Sequence, residues 1–125
     1  MVRTIASIII SFAIIFGLSF YEVYYVRTTF KQFHDILDSL YQKTESYTAT
    51  YEDGTAVRML WEKEKRKLYF WLSHTVIENI DYQLNESLGY LYEGGYQDAL
   101  PKLEILIKMS EYIPDSYSLN WENII

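Results

Sequence analysis

Side chains able to do chemistry are few in this chain of 125 residues: two histidines, no cysteine, and carboxylates interspersed with lysines. His34 and Asp38 stand at i, i+4, which puts both on one face of a helix and within reach of a shared metal ion. Nothing completes the coordination sphere: the chain has no H-E-x-x-H and no Glu-x-x-His of the di-iron bundle type. Beside Asp35 on an exposed helix face, His34 reads as a solvated residue. His74 lies in Ser73-His74-Thr75, a junction between helical patterns, where an imidazole bonds the backbone or water. Glu78 and Asp81 form a carboxylate pair at i, i+3, which a solvated face explains better than acid–base catalysis. Gly94-Gly95 follows a helical pattern instead of a strand, so no phosphate-cradling loop is indicated. The sequon Asn85-Glu86-Ser87 carries weight only in a secreted eukaryotic protein. Without cysteine, a disulfide framework, a thiolate ligand and a thiol nucleophile are all excluded. No catalytic, cofactor-binding or metal-binding residue is assigned, and an enzyme is not expected.

The strongest signal lies elsewhere. Thr4 to Tyr21, TIASIIISFAIIFGLSFY, is an uncharged run of 18 residues. As a helix rising about 1.5 Å per residue it spans roughly 27 Å, close to the ~30 Å hydrocarbon layer of a bilayer. Its few Ser and Thr hydroxyls can return to the helix backbone. Arg3 bounds the run on one side, and Tyr21, Glu22, Tyr24, Tyr25 and Arg27 bound it on the other. Tyr21, Tyr24 and Tyr25 are the candidate membrane-interface residues, since amphipathic rings favour the headgroup level. A cleaved signal peptide would share the leading Arg and the apolar stretch. This run, however, exceeds the usual ~7–15 residues of such a core, and the best small residues, Gly17 and Ser19, lie inside it. A retained single-pass anchor over residues 1–25 is the expectation. Ala6, Ala13 and Gly17 share one face of it, and the pair Ala13-x-x-x-Gly17 permits close approach of another membrane helix, from a different membrane protein or a second copy. The basic residues flanking the span are nearly tied, Arg3 and the amino terminus against Arg27 and Lys31. The short tail before Arg3 favours an N-terminus in the cytoplasm and a domain outside the cell membrane.

Residues 26–125 suffice for one small domain. Setting Arg3 aside, the total charge of −6 leaves −7 for the rest of the chain. So acidic a surface argues against nucleic acid, whose phosphates require a basic face. Val26, Phe30, Phe33, Leu37, Leu40, Thr44, Tyr47 and Tyr51 alternate at spacings of 4 and 3, predicting a helix continuous with the anchor. The stripe fits packing within the domain; a dimeric coiled-coil stalk is the alternative. Thr48, Thr50 and Glu52-Asp53-Gly54-Thr55 predict its end, and a second helix from Thr55 turns Val57, Leu60, Trp61, Leu68, Trp71 and Leu72 inward. Ser73 or Thr75 caps a third helix with Ile77, Ile80, Leu84, Leu88 and Leu91 buried, which Gly94-Gly95 stops. A fourth runs from about Gln97 to Tyr112 on Ala99, Leu103, Leu106, Ile107 and Ile113. Pro101 lies near its start, and Ile113-Pro114-Asp115 ends it. The apolar tail with Leu119, Trp121, Ile124 and Ile125 is expected to cover the bundle. The fold class is all-α: a transmembrane helix followed by an antiparallel bundle of three to four helices.

WEKEKRKLYFWLSHTVIENIDYQL, then GYQDALPKLEILIKMSEYIP, then a tail ending NII resembles domain-of-unknown-function family forty-three sixty-three. The residues carrying the resemblance are Trp61, His74 to Asp81, Ala99-Leu100, Leu103 to Leu106, Ile113-Pro114 and Asn123-Ile124. They are packing and punctuation positions. The resemblance covers the N-terminal anchor and most of residues 57–125, with departures in the Thr- and Tyr-rich stretch 44–51 and at Pro101. It implies a small single-anchor protein of spore-forming Gram-positive bacteria, with no assigned activity. GGYQDALPKLEIL also looks like the opening of a tetratricopeptide helix, a partial match without the ~34-residue repeat.

The run Glu62-Lys63-Glu64-Lys65-Arg66-Lys67 can pair with itself, Glu62 with Lys65 or Arg66 and Glu64 with Lys67, at a few tenths of a kcal/mol each. Lys63, Lys65, Arg66 and Lys67, with Trp121 and Ile124 of the tail, form the candidate interaction surface. Tyr69, Phe70 and Trp71 follow the cations directly, a grouping that suits an anionic lipid surface and matters most if the domain faces the anionic cytoplasmic leaflet. The functional expectation is a non-enzymatic accessory subunit, binding the bilayer and a membrane partner or a second copy. The alternative is an extracytoplasmic module that takes up a lipid or small apolar ligand. No cofactor, metal or nucleic acid is expected. Because the chain lacks cysteine, a Ser116→Cys variant tests the side of the membrane with an impermeant maleimide. Labelling in intact cells is expected; labelling only after lysis would put the domain in the cytoplasm.

Overall fold

The computed structural model describes residues 1–124, with side chains described as far as Asp115. Its four helices are α1 (Val2–Glu45), α2 (Tyr51–Leu68), α3 (His74–Tyr92) and α4 (Tyr96–Ile124), and the described residues contain no strand. α1 continues unbroken for 44 residues. Its apolar stretch is exposed on every side, and burial begins at Val26. Ser11 and Ser19 return their hydroxyls to the carbonyls of Ser7 and Ile15, each at 2.9 Å, so these two side chains are satisfied within the helix.

From Val26 onward the stripe enters the core. Val26, Phe30, Phe33, Leu37, Leu40 and Thr44 are buried, packed by α2 on one side and α4 on the other, while α3 packs on α2 and α4 in turn. The heptad-like pattern is thus consumed within the chain. The last two positions of the expected stripe, Tyr47 and Tyr51, are exposed, because α1 ends before them. The Thr48 amide reaches Lys43 O at 2.8 Å and the Tyr47 amide reaches Thr44 O at 3.1 Å, the two bonds of a Schellman ending. That ending needs a left-handed residue, and Tyr47 supplies it at φ 59°. The Tyr96 ring, edge-on at 5.5 Å, and the Gln97 amide, which donates to the Tyr47 hydroxyl, hold the ring of this strained residue.

The boundary of α2 differs from the sequence expectation. Asp53-Gly54 is not the stop of one helix; it lies in the first turn of the next. Thr50 Oγ1 accepts from the Asp53 amide at 3.3 Å and Asp53 Oδ2 accepts from the Thr50 amide at 2.9 Å, a reciprocal capping box. Gly54 is buried because α2 passes close to α3: a Cβ there would lie 3.1 Å from Leu88 Cδ2 and Tyr92 Cε1. α2 stops at Leu68, so Trp71 and Leu72 pack from a tight turn and are partly buried. Ser73 caps α3 by accepting from the Val76 amide, and all five residues of the expected α3 stripe are buried. α3 closes on Gly94, whose φ of 81° directs the Gly95 amide back to Tyr90 O at 2.8 Å.

α4 corrects a second expectation. Pro114 does not end it, and the helix runs on to Ile124. An internal proline removes one hydrogen bond and costs about 3 kcal/mol, which the packing of α4 along α1 must offset. Pro114 is itself buried, beside Arg27, Lys31 and His34. Ala99, Leu103 and Leu106 are fully buried and Ile107 and Ile113 partly so. The expected cover by Leu119, Trp121, Ile124 and Ile125 concerns side chains outside the described residues.

The capping box generates a direct test. Thr50→Ala is expected to cost about 1 kcal/mol, lowering Tm by about 4–8 °C in a domain of this size. Asp53→Ala belongs to the same box, so the double variant should lose less than the sum of the two in a thermal melt.

Candidate functional site

The end of the domain next to the apolar stretch gathers most of the residues singled out from sequence. Lys43 Nζ meets Asp53 at 2.9 Å, the Phe33 and Trp61 rings lie 5.2 Å apart, and Tyr25 Oη donates to Glu64 at 2.6 Å. α2 therefore returns along α1, ten residues of α1 matching eight of α2 between the first two contacts. The Tyr25–Glu64 bond lies one helical turn before α2 ends at Leu68, so the turn after α2 arrives beside the Tyr21, Tyr24 and Tyr25 border. Tyr21 and Tyr25 stack with ring centroids 6.3 Å apart, and Tyr24 points into solvent. Tyr69 packs on His74 at 4.7 Å, and Phe70 beside it is 84% exposed.

The charged run pairs with itself only in part. Glu62 reaches Lys65, at 3.9 Å, but Glu64 is taken by Tyr25 instead of Lys67. Lys65 turns inward to Asp81 at 3.2 Å; burial alone would lower its pKa, and the hydrogen bond to Asp81 reverses that and raises it. Lys63, Arg66 and Lys67 stay exposed and enter no ion pair among the described residues.

One carboxylate, Asp81, and one histidine, His34, read from sequence as solvated prove to be brackets between helices. Asp81 accepts the Trp61 indole N–H at 3.1 Å as well as Lys65, joining α3 to α2. A buried tryptophan needs an acceptor for its N–H, and that requirement was the available signal. His34 Nε2 meets Glu111 at 2.9 Å, joining α1 to α4, and Nδ1 faces Asp35 at 3.4 Å. Burial pulls the His34 pKa down, and these carboxylates outweigh it, holding the imidazole above its ordinary value. Asp38 does not join His34; it accepts from Gln42 at 3.1 Å. Glu78 remains exposed, and Asn85 of the sequon accepts from Arg58 at 3.3 Å. Among the described residues no three His, Asp or Glu side chains converge as a metal site.

The far end of the domain holds a second aromatic group missed from sequence: Tyr51 lies on Tyr92 at 4.6 Å, and Arg58 sits over the Tyr92 ring at 5.8 Å. It closes the gap between α2 and α3. Along the apolar stretch, Ala6 and Ala13 are exposed and nothing lies within 4 Å of where a Cβ would stand on Gly17. The strip of small residues is open. Inside the domain, the space between Phe30, Phe33, Leu60, Trp61 and Leu68 has no room for a water molecule.

These features define an all-helical domain borne on a long N-terminal apolar helix, the one described helix long and apolar enough to cross a membrane. Membrane anchors and signal sequences share that character. The chain belongs to the family of the domain of unknown function DUF4363, whose family model matches residues 20–124. The match takes in the segment between residues 26 and 56, which the sequence resemblance had not, and starts where the apolar stretch ends. No curated protein and no solved structure matches the chain.

The His34–Glu111 bracket sets a pH dependence. Because the folded pKa is raised, its stabilisation is complete below the ordinary histidine value near ~6.5 and is lost as pH rises through the folded value. The pair is partly exposed, so the change should be about 0.2–1 kcal/mol. Urea melts across this range should show the decline in the native chain, and His34→Gln should abolish it.

Proposed function

We propose that this protein is a non-enzymatic, membrane-anchored accessory subunit. α1 spans the cell membrane once, and the other helices pack with its extension as a small antiparallel bundle on the extracytoplasmic side. The span contacts a membrane-protein partner, or a second copy, through Ala6, Ala13 and Gly17, where small side chains let a neighbouring helix approach closely.

The observation that carries this reading is the unbroken course of α1. A fully exposed apolar stretch passes directly into a buried stripe, without a glycine or proline hinge after Gly17. A tilt or shift of the span would move the domain with it, so a partner gripping the span also positions the bundle. The space between Phe30, Phe33, Leu60, Trp61 and Leu68, too small for a water molecule, favours an interaction subunit over a module that encloses an apolar ligand there. The brackets made by Asp81, Glu64 and His34 occupy groups that an active site would need free.

Gly17→Leu tests the reading, since a branched side chain on the open strip keeps a second helix away. The variant should keep its helical content and melting profile in detergent, yet lose the protein cross-linked to the native chain in membranes. A partner still captured by Gly17→Leu would refute contact through this strip. A bound lipid or small molecule in place of a protein would favour the ligand-binding alternative.

A further inference from the structure

We propose that the turn between α2 and α3, residues 69–72, lies on the headgroup layer of the bilayer that α1 enters, with Lys63, Arg66 and Lys67 facing anionic lipid. This rests on α1 being a membrane anchor and on anionic lipid in the leaflet that faces the domain, whichever side that is, and adds an orientation: the domain leans with its α2–α3 edge against the membrane.

Three observations converge on this edge. The first is level. The Tyr25 hydroxyl binds Glu64 at 2.6 Å, one turn before α2 ends at Leu68, which brings the following turn to the Tyr21–Tyr25 border of the apolar stretch. The second is exposure. Phe70, at 84%, is the most exposed large apolar residue of the described part of the domain beyond Val26. A phenyl ring left in water is unfavourable, whereas aromatic rings favour the region between headgroups and chains. The third is charge. Lys65 is neutralised by Glu62 and Asp81, and Glu64 is turned to the Tyr25 hydroxyl, so Lys63, Arg66 and Lys67 are left to interact outward. Lys63 and Arg66 share one face of α2 at i, i+3, and Phe70 follows in the turn directly after it.

The rest of the molecule makes the orientation selective. The chain carries −6 overall, so an anionic surface repels most of the domain and attracts this edge. Basic residues next to a membrane helix bind anionic headgroups by that attraction, over a distance limited by salt screening.

The test uses the full-length chain in vesicles of phosphatidylglycerol mixed with phosphatidylcholine. Single-cysteine variants Phe70→Cys, Met59→Cys and Phe12→Cys carry a nitroxide, and collisions with oxygen, which partitions into lipid, are compared with those of a water-soluble nickel complex. Met59 lies on the outer side of α2, 67% exposed and about 16 Å farther from the membrane by the helix rise. The oxygen-to-nickel ratio at Phe70→Cys should exceed that at Met59→Cys several-fold. It should fall toward the Met59→Cys value when phosphatidylglycerol is omitted, or when Lys63, Arg66 and Lys67 are all changed to Gln. If Phe70→Cys matches Met59→Cys while Phe12→Cys reports lipid, the docking is overturned and the anchor stands. If Phe12→Cys also reports water, the anchor reading fails and the docking with it. A high ratio at Phe70→Cys indifferent to phosphatidylglycerol and to the three cations would overturn the anionic-lipid contact.

Discussion

The buried stripe of α1 from Val26 to Thr44 is the constraint on which the rest of the molecule depends. A helix is stiff and its faces recur at a fixed period, so once Phe30, Phe33, Leu37 and Leu40 are aligned, the directions from which α2 and α4 can pack are set. Each such side chain contributes about 1.5–3 kcal/mol on burial, and the same helix carries the apolar stretch. Thr44 shows how strictly the stripe is kept. It occupies a fully buried position, and its hydroxyl is satisfied by Leu40 O at 2.7 Å, so the hydroxyl costs little in a dry core.

Polar residues around this core set register. Tyr25–Glu64 and Lys43–Asp53 tie α1 to α2 near the two ends of their contact, Trp61–Asp81 ties α2 to α3, and His34–Glu111 ties α1 to α4. Apolar packing alone leaves helices free to slide by a turn, because one leucine ridge resembles the next. A buried indole N–H without its acceptor would be costly, which makes the Trp61–Asp81 bond the most discriminating of these ties. Asp53 serves twice: Lys43 first, and then the Thr50 amide, hold its carboxyl below the ordinary carboxylate value, so both the cap and the tie weaken as pH falls through that lowered pKa.

The two ends of the domain are built differently. At the far end, Tyr47, Tyr51, Tyr92 and Tyr96 lie in two ring pairs, and Arg58 sits on one of them. At the end next to the apolar stretch, aromatic side chains are turned outward beside lysines and an arginine. Tyrosine serves both ends because one edge of its ring packs while its hydroxyl stays wet or finds an acceptor, as Tyr96 does on Ala49 O at 3.2 Å.

Helix content, the core of each helix and the apolar N-terminal stretch were legible in the sequence because each is a periodic or cumulative property of neighbouring residues. The stripes Val26–Leu40 and Ile77–Leu91 could be read directly, as could Ser73 as a cap and Gly94 as a stop. Boundaries that turn on competition were not legible. Thr50-x-x-Asp53 was read as the end of one helix when it begins the next, because a capping box and a turn draw on the same residues. Pro114 was read as a terminator, yet α4 continues, since the contact with α1 that offsets the proline is made with residues some eighty positions away. The roles of His34, Asp81 and Glu64 likewise lay beyond local reading. A carboxylate on a helix looks solvated until the opposing helix brings an indole, an ammonium or a phenol to it. What the sequence by itself determined was which surfaces are apolar and where the chain is helical, because those follow from side-chain type and period. Which helix faces which, and thus which charges are spent inside the domain and which are left beside the apolar helix, was decided only by the tertiary structure, because pairing depends on groups distant in the chain.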